Sequence, residues 1–105
     1  MERYAWRATI KPGMRAEYIR RHNEIWPDML EALKSAGIEN YSIWVMKDEL
    51  FGYYECKLGR AHTVEVQRSN PVFAKWSEYM RDVMTMALDP ETGERLEMKE
   101  IFRLD

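Results

Sequence analysis

Cysteine and histidine are scarce in this sequence of 105 residues, which contains one cysteine and two histidines. The single cysteine, Cys56, cannot form a disulfide within the chain, whereas small secreted domains usually carry several, so we expect a reducing, cytoplasmic environment. Cys56 also stands in an apolar run, which indicates a buried strand residue rather than a nucleophile. His22 and His62 are far apart and have no cysteine or HxxxH companion, so we expect no metal site.

An excess of charge of one sign is missing as well. The 16 basic and 18 acidic side chains are interspersed and give a net charge of −2. Such a balance provides no electrostatic footprint for nucleic acid or for an anionic membrane, and we expect neither partner. The N-terminal residues contain no apolar run long enough for a signal peptide or a membrane span. The length predicts a single domain over residues 1–105, without room for a cofactor-binding module.

Aromatic residues, in contrast, are abundant. The chain has four Trp, six Tyr and three Phe, together with eight Met. So much bulky apolar surface in a short chain predicts a contact with a partner subunit, a cavity for a flat or ring-shaped ligand, or both.

Periodicity divides the chain into strands and helices, and proline and glycine mark the boundaries. The pattern between Met14 and Gly37 is helical, with a break near residues 23–26 because Pro27 fits only the first turn of a helix. Gly37 is typical of a position just past a helix end. We further predict strands over 4–10, 40–47, 50–58 and 96–104, helices over 60–69 and 71–84, a hairpin at 48–49 and a loop over 88–94.

This order predicts an α+β fold of the ferredoxin-like βαββαβ type, with helices on one face of a four-stranded antiparallel sheet. The strand over 40–47 carries large apolar residues on both sides. Tyr41 and Ile43 lie on one side, and Trp44 and Met46 lie on the other. Leaving either side in water would expose a larger apolar patch than most monomers tolerate, so we expect a homodimer formed sheet to sheet.

Tyr18 and His22 are the residues best placed for chemistry. They stand one turn apart on the same helix, so their side chains rise from one face. An imidazole can exchange a proton near neutral pH, and a phenol can orient a ligand hydroxyl. Spacing alone favours a plainer interpretation, in which His22 hydrogen-bonds the free backbone groups at the helix break.

The other polar candidates have structural explanations. His62 begins an amphipathic helix, and we expect it to be a solvated or capping residue. Arg20 and Arg21 could hold an anion, but such a pair more often forms salt bridges, here with Glu17 and Glu24.

The sequence YIRRHNEIWP at residues 18–27 resembles the signature of the L-rhamnose mutarotase family. Three further stretches are similar to that family in the same order along the chain: NYSIW at 40–44, KWSEYM at 75–80 and KEIFRL at 99–104. The resemblance implies a homodimeric α+β barrel that interconverts the α and β anomers of L-rhamnose without a cofactor.

The resemblance also implies a set of site residues. His22 would be the proton donor, and Tyr18 and Tyr41 would contact the substrate. Trp76 stands at the first of two adjacent tryptophans that line the family's sugar pocket. Ser77 stands where the second would be, which removes one aromatic wall and leaves the preferred sugar open.

Mutarotation requires protonation of the ring oxygen and deprotonation of the anomeric hydroxyl. Our hypothesis is that His22, as imidazolium, protonates the ring oxygen, while a tyrosine, a water or a backbone carbonyl serves as the base. The alternative function is a cofactor-independent oxygenase or haem-degrading protein, because dimeric α+β barrels also host those activities. A non-catalytic binding or assembly module is a third interpretation.

Overall fold

The computed structural model describes residues 2–105. Its elements in chain order are β1 (Glu2–Ile10), α1 (Arg15–Asn23), α2 (Pro27–Ser35), β2 (Ile38–Met46), β3 (Glu49–Cys56), α3 (Arg60–Ser69), α4 (Pro71–Met80) and β4 (Met84–Met86). The order is the predicted βαββαβ pattern, with each helical segment divided into two helices.

The four strands form one antiparallel sheet in the order β2-β3-β1-β4. The α+β class and the four-stranded antiparallel sheet are therefore confirmed. The long strands β1 and β3 lie in the middle, and β2 and β4 are the edges. No helix among residues 2–105 has the length and apolar character needed to cross a bilayer.

The helix boundaries follow from proline and glycine. Trp26 is extended, with φ −63° and ψ 137°, and Pro27 then begins α2, because proline restricts the residue before it and fits the first helical turn. Pro71 begins α4 in the same way, and the Asn70 side chain caps that helix by accepting a hydrogen bond from the Val72 N–H at 3.0 Å. Gly37 follows α2 with a φ of +74°. The predicted helix break and the predicted helix end are both confirmed.

The core lies between the helices and one face of the sheet. Alternate residues of β1 and β3 point towards the helices and are buried, among them Ala8, Ile10, Leu50 and Tyr54. Cys56 is fully buried on the same face, which confirms the prediction that it is a strand residue of the core.

The C-terminal third corrects two predictions. The helix predicted over 71–84 ends at Met80, because the chain leaves the helix to pair with the sheet: the Lys11 N–H donates to the Val83 carbonyl at 2.8 Å, and β4 (Met84–Met86) then pairs with β1. The strand predicted over 96–104 is not formed. Its alternating pattern is that of a strand, but β4 already occupies the free edge of β1, and Ile101 remains 97% exposed.

Candidate active site

A cleft of about 1030 Å³ opens between the helices and the sheet. Residues from α1 and α4 form one wall, and residues from β1, β2 and β3 form the other. All five site residues expected from the sequence line this cleft, namely Tyr18, His22, Tyr41, Trp76 and Ser77. The cleft has room for a pyranose ring and for further groups around it.

His22 lies in the last turn of α1, and its Nδ1 is 3.1 Å from the Tyr18 carbonyl oxygen. A carbonyl only accepts hydrogen bonds, so Nδ1 carries a hydrogen and donates it, and Nε2 is the atom that can gain or lose a proton. Burial lowers the pKa of His22 from its ordinary value of 6.5, against a smaller opposite effect of the Tyr18 carbonyl. At pH 7 the resting imidazole is therefore mainly neutral.

Tyr18 lies against His22, with ring centroids 4.4 Å apart and an interplanar angle of 30°. The residue is 5% exposed, and within residues 2–105 its buried hydroxyl has no hydrogen-bond partner. Leaving a buried hydroxyl unpaired costs about 1–3 kcal/mol, so this group is suited to a ligand oxygen. Burial raises the pKa of Tyr18 well above its ordinary value of 10.0, which keeps the phenol protonated and able to donate.

Tyr41 reaches the same cleft from β2. A bulge lies between Glu39 and Ser42, and Asn40 within it has a φ of +50°. Tyr41 is 37% exposed, and its hydroxyl accepts a part-buried hydrogen bond from the Trp6 Nε1 at 3.1 Å. Burial raises the pKa of Tyr41 as well, so it too stays protonated at neutral pH.

Aromatic rings from α4 and the α1–α2 junction form the helix wall beside the imidazole. The Trp76 ring lies edge-on to His22, with centroids 5.5 Å apart and an angle of 89°. Trp26 packs against both Trp76 and Tyr79, at centroid distances of 5.0 and 5.1 Å. Trp76 is therefore held by neighbouring rings as well as by its own helix. Ser77 lines the cleft one position further on.

The sequence did not predict the polar groups around Tyr54, which also line the cleft. The Tyr54 hydroxyl accepts hydrogen bonds from Arg60 Nη1 at 3.4 Å and from Gln67 Nε2 at 3.3 Å. The Arg60 guanidinium lies 3.8 Å from the centroid of the Tyr4 ring. These residues come from β1, β3 and α3, so no local motif could indicate that they meet.

The remaining polar candidates have structural roles, as expected. Arg20 bonds Glu17 and Glu24 on its own helix. Arg21 bonds Glu17 and also Asp82, at 2.8 Å, which ties α1 to the segment after α4. The salt-bridge interpretation of this pair is confirmed.

His62 lies away from the cleft. His62 Nε2 is 2.9 Å from the Ser35 carbonyl at the end of α2, so His62 serves a helix end rather than the cleft. Within residues 2–105, no three side chains of His, Cys, Asp or Glu are grouped in a way that could hold a metal ion.

Comparison with known proteins identifies the family of this chain. The family model of L-rhamnose mutarotase matches residues 3–104. The L-rhamnose mutarotase of Sinorhizobium fredii is 42% identical over 106 residues, covering 99% of each chain, and that of Brucella anthropi is 35% identical, covering 98% of this chain and 96% of its own. A crystal structure of L-rhamnose mutarotase from Formosa agariphila superposes over the whole of both chains with a TM-score of 0.78 and 25% identity. This chain belongs to the L-rhamnose mutarotase family.

Proposed function

We propose that this protein interconverts the α and β anomers of L-rhamnose by opening and closing the pyranose ring. Membership of the L-rhamnose mutarotase family supports both this reaction and L-rhamnose as its substrate. The observation that carries the proposal is a half-buried imidazole beside the Tyr18 hydroxyl, in a cleft walled by aromatic rings. Nδ1 of that imidazole contacts the Tyr18 carbonyl, which leaves Nε2 to exchange a proton, and the Tyr18 hydroxyl has no hydrogen-bond partner among residues 2–105. Hydrogen-bond donors and ring faces in one cavity are the groups that a sugar requires.

The lowered pKa of His22 indicates the order of proton transfers. The neutral imidazole first accepts the proton of the anomeric hydroxyl at Nε2. The imidazolium then gives this proton to the ring oxygen as the bond between C1 and that oxygen breaks, which leaves an open aldehyde. Both oxygens are bonded to C1, so a single nitrogen can serve both. Rotation of the aldehyde and the reverse transfers close the other anomer. His22 thus begins neutral rather than as imidazolium, and no separate base is required.

The two tyrosines act as donors in this scheme. The raised pKa values of Tyr18 and Tyr41 make them poor bases at neutral pH but keep their hydrogens available. Each would donate to a sugar oxygen, which orients C1 towards Nε2 of His22. Trp76 would pack against the C–H face of the ring, and Ser77 would offer a hydroxyl where the resemblance implies a second indole.

We also propose that the protein is a homodimer in the cytoplasm, formed across the open face of the sheet into an α+β barrel. Trp44 and Met46 on that face are 69% and 66% exposed. The segment over 96–104 has the alternating pattern of a strand but no strand partner among residues 2–105. A second copy would cover the exposed face and could supply an edge for this segment.

Saturation-transfer NMR tests the activity directly. Irradiating the anomeric proton of α-L-rhamnose should reduce the signal of the β anomer in proportion to the enzyme concentration, because the enzyme exchanges the two forms within the relaxation time. An equal amount of heat-denatured protein is the control. Absence of transfer at high enzyme concentration would contradict the proposal. Adding haem tests the alternative oxygenase or haem-degrading function, for which a Soret band shifted by binding is expected.

A further inference from the structure

Trp6 on β1 reaches Tyr41 on β2 across the intervening strand β3. The sheet order places β3 between them, and Trp6 pairs directly with Gly52 of β3. The Trp6 indole lies over that position, and its Nε1 donates to the Tyr41 hydroxyl at 3.1 Å. This contact joins side chains that are two strands apart.

Gly52 makes this reach possible. A Cβ atom at position 52 would lie 2.0 Å from Trp6 Cε2 and 2.2 Å from Nε1, far closer than any side chain tolerates. Every other residue type would therefore displace the indole. A glycine inside a central strand usually weakens the strand. Here the absence of a side chain at position 52 leaves space that the Trp6 ring fills.

The hydrogen bond from Trp6 determines which way the hydrogen of the Tyr41 hydroxyl can point. Because the indole N–H can only donate, it occupies a lone pair of the Tyr41 oxygen and leaves the phenolic hydrogen free to point elsewhere. The indole is itself held firmly, since Trp6 is 8% exposed. The bulge around Asn40, in contrast, gives the backbone beneath Tyr41 less regular support than a continuous ladder.

We propose that Trp6, seated in the gap above Gly52, is a positioning residue that directs the Tyr41 hydroxyl towards the sugar. This inference rests on the proposed function, because it takes Tyr41 as a substrate contact. Trp6 itself need not touch the sugar. Its role is to donate a hydrogen bond to the Tyr41 hydroxyl oxygen, so that the phenolic hydrogen points into the cleft.

Kinetics of Trp6→Phe, with and without Tyr41→Phe, test the proposal. Phenylalanine keeps an aromatic ring over Gly52 but removes the N–H donor. We expect KM for L-rhamnose to rise about two- to tenfold with kcat nearly unchanged, because one neutral hydrogen bond to a binding group is lost. In the Tyr41→Phe background, the same substitution should change KM by less than about 1.5-fold, since no hydroxyl is left to direct.

Ser69→Ala is the matched control. It removes a side-chain hydroxyl that donates to the Glu65 carbonyl at 2.9 Å on α3, outside the cleft, and it should leave KM unchanged. An equal rise in KM from Trp6→Phe in both backgrounds, or no rise in either, would overturn the positioning role while leaving the mutarotase function intact. No effect of Tyr41→Phe itself would also overturn it, and would remove Tyr41 from the sugar site.

An NMR signal supplies a second readout that does not depend on the stability of the Trp6→Phe variant. The indole N–H resonance of Trp6 should shift upfield in Tyr41→Phe, because its acceptor is gone, and L-rhamnose should move that resonance only when the Tyr41 hydroxyl is present. A resonance that responds to the sugar equally in both proteins would contradict the proposal.

Discussion

The two faces of the sheet both carry aromatic residues, but they hold the polar ends of those residues differently. On the helix-covered face the polar groups of the aromatic residues bond to other elements of the fold: Trp6 on β1 donates to Tyr41 on β2, and Tyr54 on β3 accepts from α3. On the open face they bond to near neighbours: Trp44 Nε1 donates to Ser42 at 3.0 Å, and the Tyr53 hydroxyl donates to a Glu55 oxygen at 2.7 Å.

This difference indicates what each face binds. Beside the covered face lies the buried Tyr18 hydroxyl, a donor that has no partner within residues 2–105, so the occupant of this side should offer oxygen atoms. The open face presents flat ring surface and thioether, with Trp44 and Met46 more than half exposed, so its occupant should offer apolar area. The aromatic excess of the sequence thus fits the proposed sugar cavity on one side and the proposed subunit contact on the other.

Replacing His22 should cause the largest effect. His22→Ala should fold normally and lose at least a hundredfold in the enzyme-dependent rate of anomer exchange, because general acid–base catalysis contributes about 10²–10⁴-fold. His62→Ala is the matched control, since that imidazole contacts the Ser35 carbonyl at the end of α2, and it should retain full activity. Wild-type exchange rates in His22→Ala would remove the imidazole from the reaction.

A charge on the open face should break the proposed dimer without entering the cleft. Trp44→Asp would place a carboxylate at the subunit contact, where its desolvation is costly. We expect sedimentation equilibrium to give the mass of one chain instead of two. Ala61→Asp, on the exposed surface of α3, should leave the mass at two chains. A wild-type protein that sediments as a monomer would refute the role that we assign to this face.

Shortening Trp76 should weaken sugar binding while sparing the proton transfer. Trp76→Ala removes one wall beside His22, and we expect KM to rise about tenfold, which corresponds to about 1.4 kcal/mol, with a smaller change in kcat. Trp76→Phe should recover most of the affinity, because it keeps a ring in the same place. A fall in kcat equal to the rise in KM would instead show that Trp76 acts on the imidazole.

Most of the fold could be predicted because its boundaries depend on local chemistry. Pro27, Pro71 and Gly37 act through their own backbone restrictions, and the structure places helix ends at each. The region over 96–104 could not be predicted in this way. Alternation of apolar and polar residues identifies a segment that can form a strand, but it does not identify the strand with which that segment pairs. In the structure, Met84–Met86 pairs with the free edge of β1 instead.

The site residues also differ in whether local sequence spacing could predict them. The approach of Tyr18 and His22 follows from helix geometry, whereas the individual roles of Tyr41 and Trp76 followed from the family resemblance. The contact between Trp6 and Tyr41 depends on the strand order and on the space above Gly52. A lone glycine within a strand pattern indicates a close approach, but it does not identify the side chain that approaches.

The smallest expected effect concerns the charge of His22. Burial lowers its pKa, so NMR titration of the His22 ring protons, assigned by their absence in His22→Ala, should give a midpoint below 6.5. Trp76→Ala should raise this midpoint, since it admits water to the imidazole. A midpoint at or above 6.5 in the wild type would contradict the neutral resting state.

The lowered pKa of His22 also makes the stability of the fold depend on pH. The unfolded chain binds this proton more tightly than the folded chain, so the contribution of His22 to stability is complete above pH 6.5 and declines as the pH falls from there towards the folded pKa. The urea midpoint of the wild type should therefore drop more between pH 7.5 and pH 5.5 than that of His22→Gln, whose side chain does not titrate. Parallel losses in the two proteins would show that the imidazole is as well hydrated in the folded cleft as in the open chain.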